Sequence, residues 1–155
     1  MNRLPAGLVL RWCGISSGWE SSQWSDFQQL KVIERIVRDL SLPVKVMATP
    51  TSRADDGLAL SSRNQYLSAA ERARAPLIHD TLLKMRELFD QGHPWQALEQ
   101  TAAARLSRAG FVPDYIVIRR AEDLAEPVEG ERSGLIALVA ARLGGTRLID
   151  NLLFD

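Results

Sequence analysis

From Phe27 onward the apolar positions Phe27, Leu30, Ile33, Ile36, Val37 and Leu40 fall three and four residues apart, with Lys31, Glu34, Arg35 and Arg38 opposite. That spacing predicts an amphipathic helix. Ser25-Asp26-Phe27-Gln28 reads as its capping box, the serine oxygen accepting from a first-turn amide and the glutamine reaching back. Pro43 ends the helix, and Val44, Val46 and Ala48 alternate with Lys45 and Met47 as a short strand before Thr49-Pro50-Thr51 marks a boundary. Ser68-Ala69-Ala70-Glu71 is a second capping box, followed by Leu77, Ile78, Leu82, Met85, Leu88 and Phe89 on one helical face up to Gly92. Pro76 inside that stretch predicts a kink or a split. Pro94 suits the first turn of a further helix carrying Trp95, Leu98, Ala102 and Leu106 and closed by Gly110.

The period then changes. Tyr115, Ile116, Val117 and Ile118 are β-branched or aromatic, and the apolar runs 135–143 and 146–153 meet at Gly144-Gly145, a hairpin signal. Helices followed by sequential strands predict an α+β fold, a small antiparallel sheet covered by the two middle helices. The first 24 residues show neither period, hold Trp12, Trp19 and Trp24, and are read as an atypical, poorly ordered arm without a regular element. The expected organisation is an arm over 1–24, a helix and strand over 25–50, and the α+β domain over 51–155. No internal repeat is visible.

Composition narrows the function classes. The chain has 155 residues, 46% hydrophobic and 25% charged, an ordinary globular composition that excludes collagen, coiled coil and disorder. Nineteen basic and nineteen acidic side chains give zero net charge, so no bulk field points to nucleic acid or an anionic membrane, and any site is local. The apolar run 6–10 ends at Arg11, too short for a signal-peptide core or a membrane span. Cys13 is the lone cysteine, with no partner for a disulfide or a metal pair, which points to a cytoplasmic location.

One segment concentrates groups suited to phosphate chemistry. In Arg53-x-x-Asp56-Gly57-Leu58-Ala59-Leu60-Ser61-Ser62-Arg63-Asn64, two hydroxyls, a guanidinium and a glycine-permitted turn can surround phosphate oxygens, with Arg63 neutralising charge. A serine-rich surface turn with an Arg–Asp ion pair explains the same residues equally well.

The run 56–64, continued by Tyr66-Leu67-Ser68 and Glu71-Arg72, resembles the signature of the pantothenate synthetases, or pantoate β-alanine ligases. The resemblance extends back through Asp26-Phe27-Gln28-Gln29-Leu30 and forward through Ala140-Ala141-Arg142-Leu143-Gly144 and Thr146-Arg147-Leu148-Ile149-Asp150-Asn151, covering roughly residues 25–155. It implies the C-terminal lid domain of such an enzyme, preceded by the last helix and strand of a Rossmann-like nucleotide-binding domain. It further implies ATP-dependent condensation of pantoate with β-alanine through a pantoyl adenylate, with Mg²⁺ held by carboxylates of the family's N-terminal half. Ser61, Ser62 and Arg63 then correspond to phosphate contacts, Leu60 to the position against adenine, Asp26 to the ribose and Gln29 to pantoate. Without the resemblance, Asp26 is a helix-end charge, Gln29 a solvated helix residue, and Leu60 a core plug.

Two departures stand beside the matches. Gln23-Trp24-Ser25 occupies the place of the family's Gly-x-Lys ahead of the aspartate, so a phosphate-facing lysine is replaced by serine. The family's H-x-G-H motif has no counterpart, since His79 and His93 stand alone and read as surface or helix-end residues. The expectation is a truncated or frame-shifted chain with no confident catalytic residue and no metal ligand of its own, inactive alone. Its partners are small molecules, and a homodimer belongs to the full-length family. The alternative is a non-catalytic nucleotide-binding lid that pairs with a separate N-terminal half.

Overall fold

The three apolar runs of the last third form the antiparallel sheet that their pattern predicts. In the computed structural model, which describes residues 8–12, 27–48 and 50–154, β3 (Phe111–Arg120), β4 (Leu135–Leu143) and β5 (Thr146–Phe154) lie in the order β3-β4-β5. Leu143 stands opposite Thr146, so Gly144-Gly145 makes a two-residue hairpin. Gly144 has φ 57°, and a side chain there would run into the Glu71 carboxylate.

Register puts Leu135, Ala137, Val139, Ala141 and Leu143 of β4 on one face beside Ile116 and Ile118 of β3 and Leu148 and Phe154 of β5. Two helices cover that face. Ile78, Leu82, Met85 and Phe89 of α3 (Leu77–Asp90) and Leu98, Ala102 and Leu106 of α4 (Trp95–Arg108) are buried against it, the positions the helical period picks out. The Phe89 and Phe154 rings meet at 5.2 Å, a tilted aromatic contact.

Local chemistry sets the helix ends. Ser68 Oγ accepts the Glu71 amide at 3.3 Å while the Glu71 carboxylate accepts the Ser68 amide at 2.8 Å, so the predicted capping box opens α2 (Ala69–Arg74). Pro76 splits the stretch: it precedes the first turn of α3, where its missing N–H leaves no bond unmade. On the sheet's outer edge, the Ile118 amide of β3 donates to Glu99 Oε1 at 2.7 Å, which blunts an edge that would otherwise present unpaired groups. Burial raises the Glu99 carboxyl above its usual value, against the lowering effect of that amide and of Arg119. Pro113 is tolerated on this edge strand, and the register shifts between Pro113 and Tyr115. The extra residue, Asp114, bulges out to meet Arg147 at 2.6 Å and Arg142 at 3.5 Å.

The N-terminal part differs from its expectation. β1 (Leu8–Trp12) pairs in parallel with β2 (Val44–Ala48), Leu8 opposite Val44 and Trp12 opposite Ala48, and α1 (Phe27–Asp39) connects them as a βαβ unit. Residues 8–12 are therefore a strand, where no regular element was expected before residue 25. Strands of parallel sheets read as continuous apolar runs without alternation, so a missing period of two does not argue against one. The rest of 1–24, and the Ser25 and Asp26 half of the first capping box, lie outside the described residues. Along α1, Leu30 is buried, yet Ile36 and Leu40 of the same stripe are 47% and 65% exposed. Tyr115 of β3 reaches this unit, donating its hydroxyl to Gln28 Oε1 at 3.1 Å. Among the described residues, no helix is long and apolar enough to cross a membrane.

Leu82 has no exposed surface and lies at the centre of the helix–sheet core. Leu82→Ala is expected to destabilise the protein by about 2–5 kcal/mol through lost burial and a residual cavity. Urea denaturation followed by circular dichroism measures it, and a loss below about 1 kcal/mol would mean that this core is not the cooperative one.

Candidate functional site

The segment read as a polar loop folds back on itself. Ser52 carbonyl accepts the Leu60 amide at 2.9 Å, Leu58 carbonyl accepts the Ala54 amide at 2.9 Å, and Arg53 bridges Ala59 in antiparallel fashion. Asp56 Oδ1 accepts the Leu58 amide at 3.2 Å and Gly57 turns the chain with φ 87°, an Asx turn followed by a left-handed glycine. Leu58 and Ala59 insert into the core and are the apolar plug. Leu60, also offered as a plug, is instead 42% exposed, because the last cross-bond of the hairpin is made at its amide and the chain then turns away.

Ser61 starts a 3-10 turn, Ser62–Tyr66, accepting the Arg63 amide on its Oγ at 3.2 Å. Asn64 Nδ2 donates back to the Ala59 carbonyl at 3.0 Å, tying the turn to the plug. Ser61, Arg63 and Asn64 line one side of a narrow cleft, and Arg147, Leu148 and Ile149 of β5 line the other, over Leu58, Ala59 and Ile78. Its interior is about 10 Å³, room for one water. Ser62 is exposed at the rim. The structure thus brings Ser61 and Arg63 together, while Leu60 and Gln29 do not line the cleft and Asp26 lies outside the described residues.

Charge pairing around the loop differs from the simplest expectation. The Arg–Asp pair exists, but Asp56 pairs with Arg72 at 2.5 Å, not with Arg63. The hydrogen bond from Arg72 holds the Asp56 carboxyl below its usual value, against the raising effect of burial and helped by the Leu58 amide. Among the described residues no carboxylate forms an ion pair with Arg63.

Behind the hairpin lies a charged cluster that sequence reasoning missed. Asp150 of β5, with no exposed side-chain surface, accepts Arg53 Nη1 at 2.7 Å and Nη2 at 2.8 Å. It also accepts the Asn151 amide at 2.8 Å. Arg53 Nη1 further donates to the Gly57 carbonyl at 3.1 Å. His79 of α3 brings Nδ1 to 3.3 Å from Asp150 Oδ2, close but without hydrogen-bond alignment. Its ring packs on Gly57, where an added Cβ would stand 3.0 Å from Cδ2. His79 is therefore largely covered, which corrects its reading as a surface residue; His93 is exposed as expected. Burial pushes the Asp150 carboxyl up, and the His79 contact, the Arg53 guanidinium and the Asn151 amide more than offset that, holding it below the usual aspartate value. The signal in the sequence was parity: Leu148, Asp150, Leu152 and Phe154 share a strand face, and a carboxylate among apolar neighbours needs a buried cation.

Comparison with known proteins decides the family. The family profile "Pantoate-beta-alanine ligase" matches residues 24–153. The chain belongs to that family. The pantothenate synthetase of Stutzerimonas stutzeri is 54% identical over 131 residues, which cover 84% of this chain and 46% of that protein. That of Nitrosococcus oceani is 52% identical over 128 residues, covering 82% and 44%. The crystal structure of the Thermus thermophilus pantothenate synthetase superposes with a TM-score of 0.76 at 44% identity, over 82% of this chain and 46% of that one. A Francisella tularensis pantoate-beta-alanine ligase, described as complexed with beta-gamma ATP and beta-alanine, superposes with a TM-score of 0.58 at 25% identity, over 83% and 40%. The chain spans about half the length of these relatives and corresponds to their C-terminal part. The 52–60 hairpin, the 3-10 turn and the three-stranded sheet as far as Leu153 fall within the part matched to the pantoate-beta-alanine ligases.

For this ligase-family chain, Asp150 carries a definite pH consequence. A carboxyl lowered in the folded state contributes stability that is present above its unfolded value, about 3.9, and is lost as pH falls through the folded value. Asp150→Asn is therefore expected to unfold at lower denaturant at neutral pH, by about 3 kcal/mol, because the largely covered Arg53 is left without its anion. The expected acid limb of its stability curve below about pH 4 is shallower than that of the parent, though not flat, since Asp56 and Asp114 are also lowered. Equal neutral-pH stability and identical acid limbs would show that the pair carries no net weight.

Proposed function

We propose that these residues provide the lid side of an ATP-dependent pantoate β-alanine ligase site, residues 51–155 forming the lid and 25–50 the end of the nucleotide-binding domain. In this reading, pantoate carboxylate attacks the α-phosphorus of ATP, releasing pyrophosphate and giving pantoyl adenylate. The β-alanine amine then attacks the acyl carbon and AMP leaves. Catalysis is by positioning and charge stabilisation, without a covalent enzyme intermediate. Ser61, Ser62 and Arg63 meet the phosphates, Leu60 packs at adenine, Asp26 faces the ribose and Gln29 holds pantoate.

The observation that carries this reading is Arg63, a guanidinium without an ion-pair partner among the described residues, at the mouth of a cleft it shares with Ser61. A phosphate exceeds the cleft's interior, so it is met at the rim by the hydroxyls and the guanidinium. Exposed Leu60 is an apolar surface of the kind a base packs on. Gln29 Oε1 is buried without a hydrogen-bond partner among the described residues, an acceptor that a substrate hydroxyl would satisfy. Mg²⁺ has no comparable support: among the described residues no group of three His, Cys, Asp or Glu is arranged to hold a metal. No step is therefore routed through a metal on this chain.

A second reading, a nucleotide-binding lid that acts with a separately supplied N-terminal half, is favoured by α1. Val32 and Ile36 of the helix and Leu40 just after it are 56%, 47% and 65% exposed, beside a parallel sheet that has two strands among the described residues.

Arg63→Ala is expected to abolish ATP or pyrophosphate binding in calorimetric titration while shifting folding stability by no more than about 0.5 kcal/mol. Unchanged affinity with a clear loss of stability would replace the phosphate reading with a structural one. The 155-residue protein alone is expected to form no pantothenate from pantoate, β-alanine and MgATP. Turnover proportional to protein would refute the dependence on residues beyond this chain, and turnover restored by adding an N-terminal half of a relative would support the second reading.

A further inference from the structure

We infer that Arg53, Asp150 and His79 form a positioning clamp that sets the Ser61–Arg63 turn from behind, so that the loop's approach to phosphate is fixed by the sheet core. The inference rests on the phosphate reading for its functional meaning but makes its own structural claim. The turn is braced locally by Ser61 Oγ, the Ser61 carbonyl and the Asn64 side-chain amide on the Ala59 carbonyl. Those bonds hold its shape, and its placement relative to the sheet comes through the hairpin that delivers it.

That hairpin is attached to the core at two kinds of contact. Leu58 and Ala59 plug in by apolar burial, which is non-directional and leaves rotation and sliding free. Arg53 removes that freedom. Its planar fork takes both oxygens of Asp150 while one of its nitrogens reaches the Gly57 carbonyl, so a single guanidinium ties the start of the hairpin, its turn and strand β5 together. The His79 ring closes the other side, against Gly57 and 3.3 Å from the same carboxylate. The Leu60 amide then donates to Ser52 beside Arg53, and the next residue is Ser61. Displacement of Arg53 is thus passed to the serines through one hydrogen-bonded step. Contacts of this type position ligand-binding groups within the tolerance that anion recognition demands.

The test uses the full chain with Arg53→Lys, which keeps the charge but loses the fork, and His79→Gln, which removes the ring from Gly57. Tripolyphosphate is the probe, titrated well below each variant's melting temperature, alongside amide hydrogen exchange. The expected result is exchange at the Gly57, Leu60 and Asn64 amides accelerated roughly ten-fold relative to strand β4, with tripolyphosphate affinity reduced roughly ten-fold. Loop and β4 amides accelerating equally, with affinity unchanged, would reduce the cluster to general stabilisation and overturn the clamp. If Arg53→Lys does not fold, His79→Gln decides, because His79 makes no ion-paired fork. Failure of the phosphate reading is told apart by the parent protein and Arg63→Ala. If neither binds tripolyphosphate, or both bind alike, that reading falls, and the selective exchange at Gly57, Leu60 and Asn64 still decides whether the clamp exists.

Discussion

A carboxylate without exposure to water organises this molecule. Asp150 lies on the core face of β5, between Leu148 and Leu152, where an unpaired charge would cost several kcal/mol. It is tolerated because Arg53 meets both oxygens. Arg53 reaches it only if the chain crosses from the β2 end to the sheet and folds back there, and that requirement places the 52–60 hairpin. Gly57 follows from the same demand, since its carbonyl serves Arg53 and its bare Cα admits the His79 ring. Replacing such pairs by apolar residues is often neutral or stabilising in proteins at large. Here the fork also fixes the direction in which the hairpin meets β5.

The sheet provides the platform for that direction. β4 is buried on both faces: Ala137 and Val139 meet α3 and α4, while Ile136, Leu138 and Ala140 point the other way and are equally covered. Tyr115 lies on this second face and reaches Gln28 of α1. The Asp114 bulge on β3 neutralises Arg147 of β5, whose hydrogen bond holds the Asp114 carboxyl below its usual value. Elements remote in sequence therefore meet at β5, where the cleft forms.

Legibility followed the kind of physics involved. The α2 cap at Ser68, the break at Pro76, the faces of α3 and α4 and the turn at Gly144-Gly145 were readable because each depends on residues close in sequence. β1 was not, because a parallel strand takes its bonds from a distant partner and shows no alternation. For the same reason Arg53, read as part of the polar loop, and His79, read as a surface residue, were not joined to their partner: Asp150 is 97 residues from Arg53. Leu60 illustrates a finer limit. Whether it or Leu58 enters the core depends on where the hairpin's last bond forms, which hydrophobicity alone does not specify.

The zero net charge of the chain and the proposal of an anion site are reconciled by how arginines are used around the loop. Arg53 is committed to Asp150, Arg72 to Asp56 and Arg147 to Asp114. Each pair is nearly neutral beyond its own contact, and exposed charges are screened over about 8–10 Å at ordinary salt. Arg63 alone among these four lacks a carboxylate among the described residues. A phosphate approaching the loop would therefore meet one uncompensated guanidinium beside hydroxyl donors, and an anion displaced toward Arg72 or Arg147 would meet Asp56 or Asp114 as well. Pairing the surrounding arginines converts a basic neighbourhood into a single addressed position, which a neutral protein can carry without a bulk field.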